Sequence, residues 1–374
     1  MLERHEYEMF RDSVRRLAVD RIEPHAAAVD KEARFPEEAL QAFKELQLVG
    51  LPVDEEYGGQ GADSLAQVIA LEEIGRVCAT SSVTLMVIWA GMMPIARHGS
   101  PEIISQTVKP AMEGDTVFSI CLTEAHGGSD VWGAKTRAES RDGGWLLNGQ
   151  KRYISNATRS EWYTVLARTG EDAFGIFAVH KDDAGVSFGA LESKMGIRGN
   201  PTADLILDDC HIPEDRCLGE PDRAQEYITN SLTYARPLIG AQALGIAQGA
   251  IDASVAYAKE RKVFGQKMAR FQMVRSTLAD LATKVEAARQ LLYRACLAAE
   301  EGDPEARIFA SKAKLFCSNV AMEATTEAVQ IHGGAGYLMD FPVERMMRDA
   351  KITQIYEGTS DIQKLIISSS MLSD

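Results

Sequence analysis

Hydrophobic positions change their period twice along the chain. From residue 3 to about 113 the spacing is helical: Tyr7, Phe10, Val14 and Leu17 recur every three or four residues, as do Leu40, Phe43 and Leu46. A glycine-rich loop, Glu55–Gly61, interrupts these helices, and Asp63 or Ser64 then caps a helix carrying Ile69, Leu71 and Ile74. Val83–Ala96 predicts a helix apolar on most sides and containing Trp89. Core packing is its ordinary reading; lining a pocket for an apolar chain is the other, with Trp89 shaping that pocket.

Beyond Pro110 and Gly114-Asp115 the texture becomes strand-like. Short runs at Val117–Leu122, Trp145–Leu147, Trp162–Ala167, Phe174–Val179 and Leu205–Leu207 are separated by clusters such as Asp142-Gly143-Gly144 and Asn148-Gly149. No long helix alternates with them, which argues against a doubly wound parallel sheet. After Pro221 helical periodicity returns over about 223–261, 271–301, 305–331, 342–354 and 361–371, with breaks at Gly302-Asp303-Pro304 and Gly333-Gly334-Ala335-Gly336. Long helices with short breaks predict an antiparallel four-helix bundle. The expected fold class is α+β, mainly α: an all-α domain over 1–115, a β-barrel-like domain over 116–222 and a helical bundle over 223–374.

Composition narrows function by exclusion. With 374 residues and a net charge of −14, the chain lacks the basic surface that nucleic-acid binding needs. The six cysteines form no C-x-x-C pair or metal-finger spacing and read as small buried hydrophobes. The seven histidines are scattered, so no metal site is expected. The N-terminus is unlike a targeting peptide and no apolar run approaches the roughly 20 residues of a membrane span. The expectation is a cytoplasmic protein without a membrane partner.

The common catalytic devices are missing. There is no G-x-G-x-x-G after a strand, no H-E-x-x-H and no G-x-S-x-G; Gly144–Gly149 has P-loop spacing, but Gln150 replaces the lysine. Four stretches remain. Leu122–Asp130, with Thr123, Gly128 and Ser129, is either a plain turn or a place where a flat ring or phosphate meets backbone N–H groups. Arg261–Gly265 reads as a cationic helix end complementing the dipole. Gln330–Gly336 is a helix running into glycines, a C-cap or a close approach to a pyrophosphate. In Ile355–Gln363 a lone carboxylate, Glu357, precedes a glycine, and Ser360 and Gln363 have the spacing of a capping box. A desolvated carboxylate in such a break becomes a usable base. From this stretch alone a solvated loop glutamate is the more ordinary reading.

In this order and spacing, Leu122–Asp130, Tyr153-Ile154-Ser155-Asn156, Arg261–Gly265, Gln330–Gly336 and Ile355–Gln363 resemble the acyl-CoA dehydrogenase family over about residues 3 to 371. The resemblance implies FAD as cofactor and α,β-oxidation of an acyl-CoA thioester to its trans-2-enoyl form. It implies Glu357 as the base that takes the α-proton while hydride passes to the flavin. It places Leu122, Thr123, Gly128, Ser129, Tyr153, Ser155, Arg261, Phe264, Gln272, Gln330, Gly334, Thr359 and Asp361 on FAD. Ser129, Arg236, Tyr356 and Gly358 fall on the substrate. It also implies a homotetramer with FAD sites shared between subunits, and an electron-transfer flavoprotein as acceptor.

Departures from the family pattern are informative. Some members carry the base immediately before the arginine matched by Arg236; here that residue is Ala235, which leaves Glu357. Thr233 replaces an aspartate used by some relatives, Asn200 a frequent serine, and Ser81 and Leu85 stand where relatives bind a dicarboxylic chain. A glutaryl-type substrate is therefore disfavoured, and a short or branched acyl chain expected. The alternatives are an acyl-CoA oxidase, a dehydrogenase of carrier-protein thioesters, and a non-catalytic flavoprotein of the same fold.

Overall fold

The computed structural model describes residues 3–114, 116–220 and 223–372. The expected domain borders fall at residues 115 and 222, which lie outside the described residues. Helices come first: α1 (Arg4–Leu17), α2 (Glu23–Glu32), α3 (Glu37–Glu45), α4 (Ser64–Val77), α5 (Ala79–His98) and α6 (Pro101–Ala111). Asp63 caps α4, its carboxylate accepting the Ala66 N–H at 3.0 Å.

Helix α5 is buried from Ala79 to Ala96, which its unbroken apolar sequence demands. Trp89 is fully buried and its indole N–H donates to the carbonyls of Leu48 (3.0 Å) and Val49 (3.1 Å). It is thus a core residue committed to the N-terminal helices, which corrects the expectation that it shapes an acyl pocket.

The middle of the chain builds one curled seven-stranded sheet from β1 (Phe118–Cys121), β2 (Arg137–Arg141), β3 (Gly144–Ser155), β4 (Trp162–Arg168), β5 (Phe174–His180), β6 (Val186–Phe188) and β7 (Thr202–Pro213). Their order is β1-β4-β2-β3-β7-β6, with β5 on β4. β1 runs parallel to β4, whereas β2–β3, β3–β7 and β4–β5 are antiparallel. Asp142-Gly143 is a true hairpin turn, both residues left-handed at φ 50° and 77°. Asn148-Gly149 is different. It lies inside β3 at a break in register with β7, and a Cβ on Gly149 would come within 2.5 Å of Thr136.

Helix α5 meets this sheet at very close range. A Cβ on Gly91 would lie 2.7 Å from the Ser119 backbone of β1, and Thr164 of β4 donates its hydroxyl to the Gly91 carbonyl at 2.6 Å. Gly91→Ala should therefore force helix and sheet apart and cost about 1–3 kcal/mol. A urea midpoint lowered at unchanged m-value would register this.

The last part contains α7 (Ala224–Glu260), a small hairpin of β8 (Lys262–Val263) and β9 (Gln266–Lys267), then α8 (Gln272–Glu300), α9 (Ala306–His332), α10 (Val343–Ile352) and α11 (Ser360–Leu372). Short links make α7, α8 and α9 antiparallel neighbours, and α11 packs along α9. By length and composition alone, α5 and α7 could cross a membrane, contrary to the sequence expectation. The relevant windows are 94% and 78% buried inside the fold, so their apolar surface is already covered.

Charge ties the first helices to the bundle. Glu72 and Glu73 on α4 are buried side by side. Arg15 reaches Glu73 at 2.9 Å, and Arg289 and Tyr293 of α8 reach Glu72 at 2.9 and 3.0 Å. Arg11 pairs with both. Two adjacent carboxylates are tolerable there because each is surrounded by donors. All six cysteines are free, and five of them are buried.

Candidate active site

The chain leaves α10 at Ile352 and enters α11 at Ser360, and Glu357 lies in the break. Glu357 and Gly358 are both left-handed, at φ 51° and 91°. For a glutamate this conformation costs about 1–2 kcal/mol, so the surroundings must impose it. The Tyr356 hydroxyl donates to the Gln242 side-chain oxygen on α7, and Gln242 Nε2 in turn donates to Ala79 O at 3.0 Å. The Gly358 carbonyl accepts from Lys314 Nζ on α9 at 2.6 Å and from Gln363 Nε2 on α11 at 2.9 Å.

The helix cap differs from the capping box expected at Ser360. Thr359 is the cap: its hydroxyl accepts the Ile362 N–H at 3.2 Å. Ser360 N–H donates to Gln354 O at 2.9 Å, which leaves Gln363 to brace Gly358. The tight turn pulls the start of α11 back by one residue.

Electrostatics sets this turn apart. The Glu357 side chain keeps some access to solvent, but crowding protein raises its pKa, against the pull of Lys314 and Arg236. Arg236 on α7 is 7% exposed, and its Nε and Nη1 atoms are buried with no hydrogen-bond partner among the described residues. Burial and the nearby Arg307 push its guanidinium down to about 10, while Glu357 pulls the other way. Burial likewise pushes the Lys314 ammonium down to about 8. The structure thus brings together Glu357, Tyr356, Gly358 and Arg236, all singled out in the sequence. It adds Lys314 and Gln242, which the sequence did not flag. An apolar stripe position on a long helix carries no signal that its lysine or glutamine points at a distant turn.

A second group lies on the sheet. The loop after β1 is pinned by Glu124, whose buried carboxylate accepts from Lys151 Nζ (2.7 Å) and the N–H groups of Lys135 (2.7 Å) and Thr136 (3.0 Å). Burial alone would raise the Glu124 pKa, but Lys151 and these donors hold it down to about 2. Lys151 also donates to Leu122 O, and Arg152 N–H donates to Thr123 O at 2.8 Å, so Leu122 and Thr123 lie against β3. Gly128 sits over Thr123, where a Cβ would be 3.3 Å from its methyl group. The N–H groups of Gly128 and Ser129 have no partner among the described residues. Tyr153, left-handed at φ 59°, exposes its ring beside the Arg152 guanidinium, and the Ser155 carbonyl accepts the Ser119 hydroxyl at 2.6 Å.

A third group stands apart. Arg261 ends α7, and the expected helix terminus continues into the β8–β9 hairpin, with Phe264 and Gly265 left-handed at its tip. Phe264 is 96% exposed and meets Phe271 edge-on at 6.3 Å; Gln272 opens α8 and is exposed. Gln330 and Gly334 are exposed at the end of α9, and a Cβ on Gly333 or Gly334 would meet nothing. Asp361 is exposed in the first turn of α11, bonded by Lys364 at 3.2 Å. Among the described residues no hydrogen bond, ion pair or ring contact joins the Arg261–Gln272 group to the Leu122–Ser155 group.

Comparison with known proteins decides the family. Models of the N-terminal, middle and C-terminal domains of acyl-CoA dehydrogenase match residues 4–115, 119–210 and 225–372. The chain belongs to the acyl-CoA dehydrogenase family. It is 47% identical over 371 residues to the probable acyl-CoA dehydrogenase FadE25 of Mycobacterium tuberculosis, covering 98% of this chain and 95% of that one. Butyryl-CoA dehydrogenase of Megasphaera elsdenii superposes with a TM-score of 0.95 at 33% identity, covering all of both chains. A chain in the solved structure of an electron transferring flavoprotein of Acidaminococcus fermentans gives 0.96 at 37% identity, covering 100% of this chain and 99% of that chain.

Members of the acyl-CoA dehydrogenase family are flavin-dependent oxidoreductases. The residues present fit such a group. The partnerless N–H pair of Gly128 and Ser129 suits phosphate. The exposed Tyr153 ring offers a wall for a flat heterocycle, and Gly333 and Gly334 leave open space for close approach.

Proposed function

We propose that the chain is an FAD-dependent acyl-CoA dehydrogenase in which Glu357 removes the α-proton of an acyl-CoA thioester, yielding the trans-2-enoyl-CoA. The observation that carries this reading is the left-handed Glu357–Gly358 turn, held from three helices, with the Lys314 and Arg236 charges acting on its carboxylate. A carboxylate with its pKa raised by crowding is a stronger base than a solvated one. The Glu357 peptide N–H has no partner among the described residues and is available to the thioester oxygen, where charge develops as the α-proton leaves. The chemistry the bound flavin supplies is acceptance of the β-hydrogen with its electron pair.

Leu122, Thr123, Gly128, Ser129, Tyr153, Ser155 and Thr359 are the residues we assign to FAD within one chain. Arg261, Phe264, Gln272, Gln330, Gly334 and Asp361 are exposed, and we assign them to the FAD of a neighbouring copy in a homotetramer. Similarity to butyryl-CoA dehydrogenase supports a short acyl chain, and similarity to a chain in the electron transferring flavoprotein structure supports that class of acceptor.

Anaerobic titration of the purified yellow protein with acyl-CoAs from butyryl to palmitoyl tests the reading. Loss of flavin absorbance should be fastest for short chains; no bleaching by any of them would refute it. Peroxide formed in air in step with substrate oxidation would instead mark an oxidase.

A further inference from the structure

We propose that Lys314 is a positioning residue for the base: its buried ammonium holds the Gly358 carbonyl, and with it the left-handed turn that presents Glu357 to the cleft. The proposal rests on Glu357 being the base. Lys314 lies on α9, fully buried, with Nζ 2.6 Å from Gly358 O. Taking an ammonium out of water costs several kcal/mol unless it is well partnered. Here its hydrogen-bond partner is a neutral carbonyl that Gln363 Nε2 already serves at 2.9 Å. A carbonyl oxygen has two lone pairs and accepts a second neutral donor as readily as the first, so hydrogen bonding by itself gives no reason for that second donor to carry charge.

The reason lies one residue away. The charges acting on the Glu357 carboxylate are Lys314 from α9 and Arg236 from α7; Arg307 of α9 acts on Arg236, and Glu357 acts on the Tyr356 phenol. Lys314 is the cation hydrogen-bonded to the turn itself. It fixes the backbone from which the carboxylate projects and opposes the effect of crowding on that carboxylate. Without it, the crowded base holds its proton to higher pH and loses its fixed approach to the α-carbon.

The test follows anaerobic flavin bleaching from about pH 5 to pH 9 in full-length, flavin-loaded variants, with the acyl-CoA that bleaches the unmodified protein fastest. Lys314→Met should keep the flavin, slow bleaching on the order of tenfold to a hundredfold and move the acid limb up by about one pH unit. Lys314→Arg keeps the charge and should leave the limb in place. Gln363→Met removes the neutral donor to the same carbonyl, and should slow bleaching without moving the limb. A Lys314→Met limb coincident with that of the unmodified protein overturns the proposal, as does equal movement in Gln363→Met. Should Lys314→Met lose its flavin, the same pair of outcomes is read from Lys314→Gln. Glu357→Gln is run alongside: if it bleaches normally, the base assignment fails, whereas an inactive Glu357→Gln with an unmoved Lys314→Met limb removes Lys314 alone.

Discussion

Replacing Glu357 by glutamine is expected to lower the rate of flavin bleaching by acyl-CoA roughly 10²- to 10⁴-fold, with flavin and acyl-CoA still bound. Glutamine has the shape of the glutamate and meets the same left-handed backbone at φ 51°. It keeps the peptide N–H, the Tyr356–Gln242 bond and both donors on Gly358 O. The change removes basicity and leaves the architecture. Stopped-flow absorbance under anaerobic conditions reads the rate, and titration with the enoyl-CoA product reads binding. Bleaching at the normal rate would eliminate Glu357 as the base. With Glu357 as the proposed base, its raised pKa predicts that in the unmodified protein activity falls with falling pH above the ordinary carboxylate range of about 4.

The second large effect concerns stability. Lys151→Met should destabilise the protein by about 3–5 kcal/mol, because it strands the buried Glu124 carboxylate. Glu124 retains the N–H groups of Lys135 and Thr136, but two neutral donors do not replace a cation at 2.7 Å. Removing both charges, as in Lys151→Met with Glu124→Gln, should recover a large part of the loss, since no buried charge is then left alone. The pH dependence has a definite sign. Glu124 is held down to about 2, below its unfolded value of 4.5. Its contribution is therefore complete above the unfolded value and is lost as pH falls towards about 2. Acid unfolding followed by circular dichroism should show a steeper decline in the unmodified protein than in the double variant, in which Glu38, Glu73 and Glu286 still contribute. Because the pair also fixes Leu122 O, Lys151→Met should release flavin more readily, measurable as free flavin after gel filtration.

The two groups differ in how far the sequence revealed them. Glu357, Gly358 and Tyr356 stand next to one another in the chain, so their turn was legible from a carboxylate before a glycine at a break in helical period. The cap was misplaced by one residue because the Lys314 and Gln363 bonds to Gly358 O, which shape the turn, come from elements outside it. Strands β2 and β6 gave no apolar run: β2, Arg137–Arg141, is exposed apart from Ala138, with three charged residues of five, and it is a strand through its pairing with β3. Asn148-Gly149 resembled a turn, yet its glycine serves a register break inside β3. Trp89 looked free to line a pocket until its indole found the Leu48 and Val49 carbonyls.

By itself the sequence determined the succession of helices, strands and helices, because hydrophobic period is a local property that survives without coordinates. It also placed the lone carboxylate in a helix break, and the family resemblance, with Ala235 standing before Arg236, removed the other position that some members use for a base. Only the tertiary structure decided that Lys314, Arg236 and Gln242 converge on that break from α9 and α7. The charge state of a buried group depends on long-range partners and on loss of water, and neither is written in the residues beside it. The carboxylate was visible in the sequence; the crowding helices that raise its pKa, and the cations that oppose that rise, come from elsewhere in the fold.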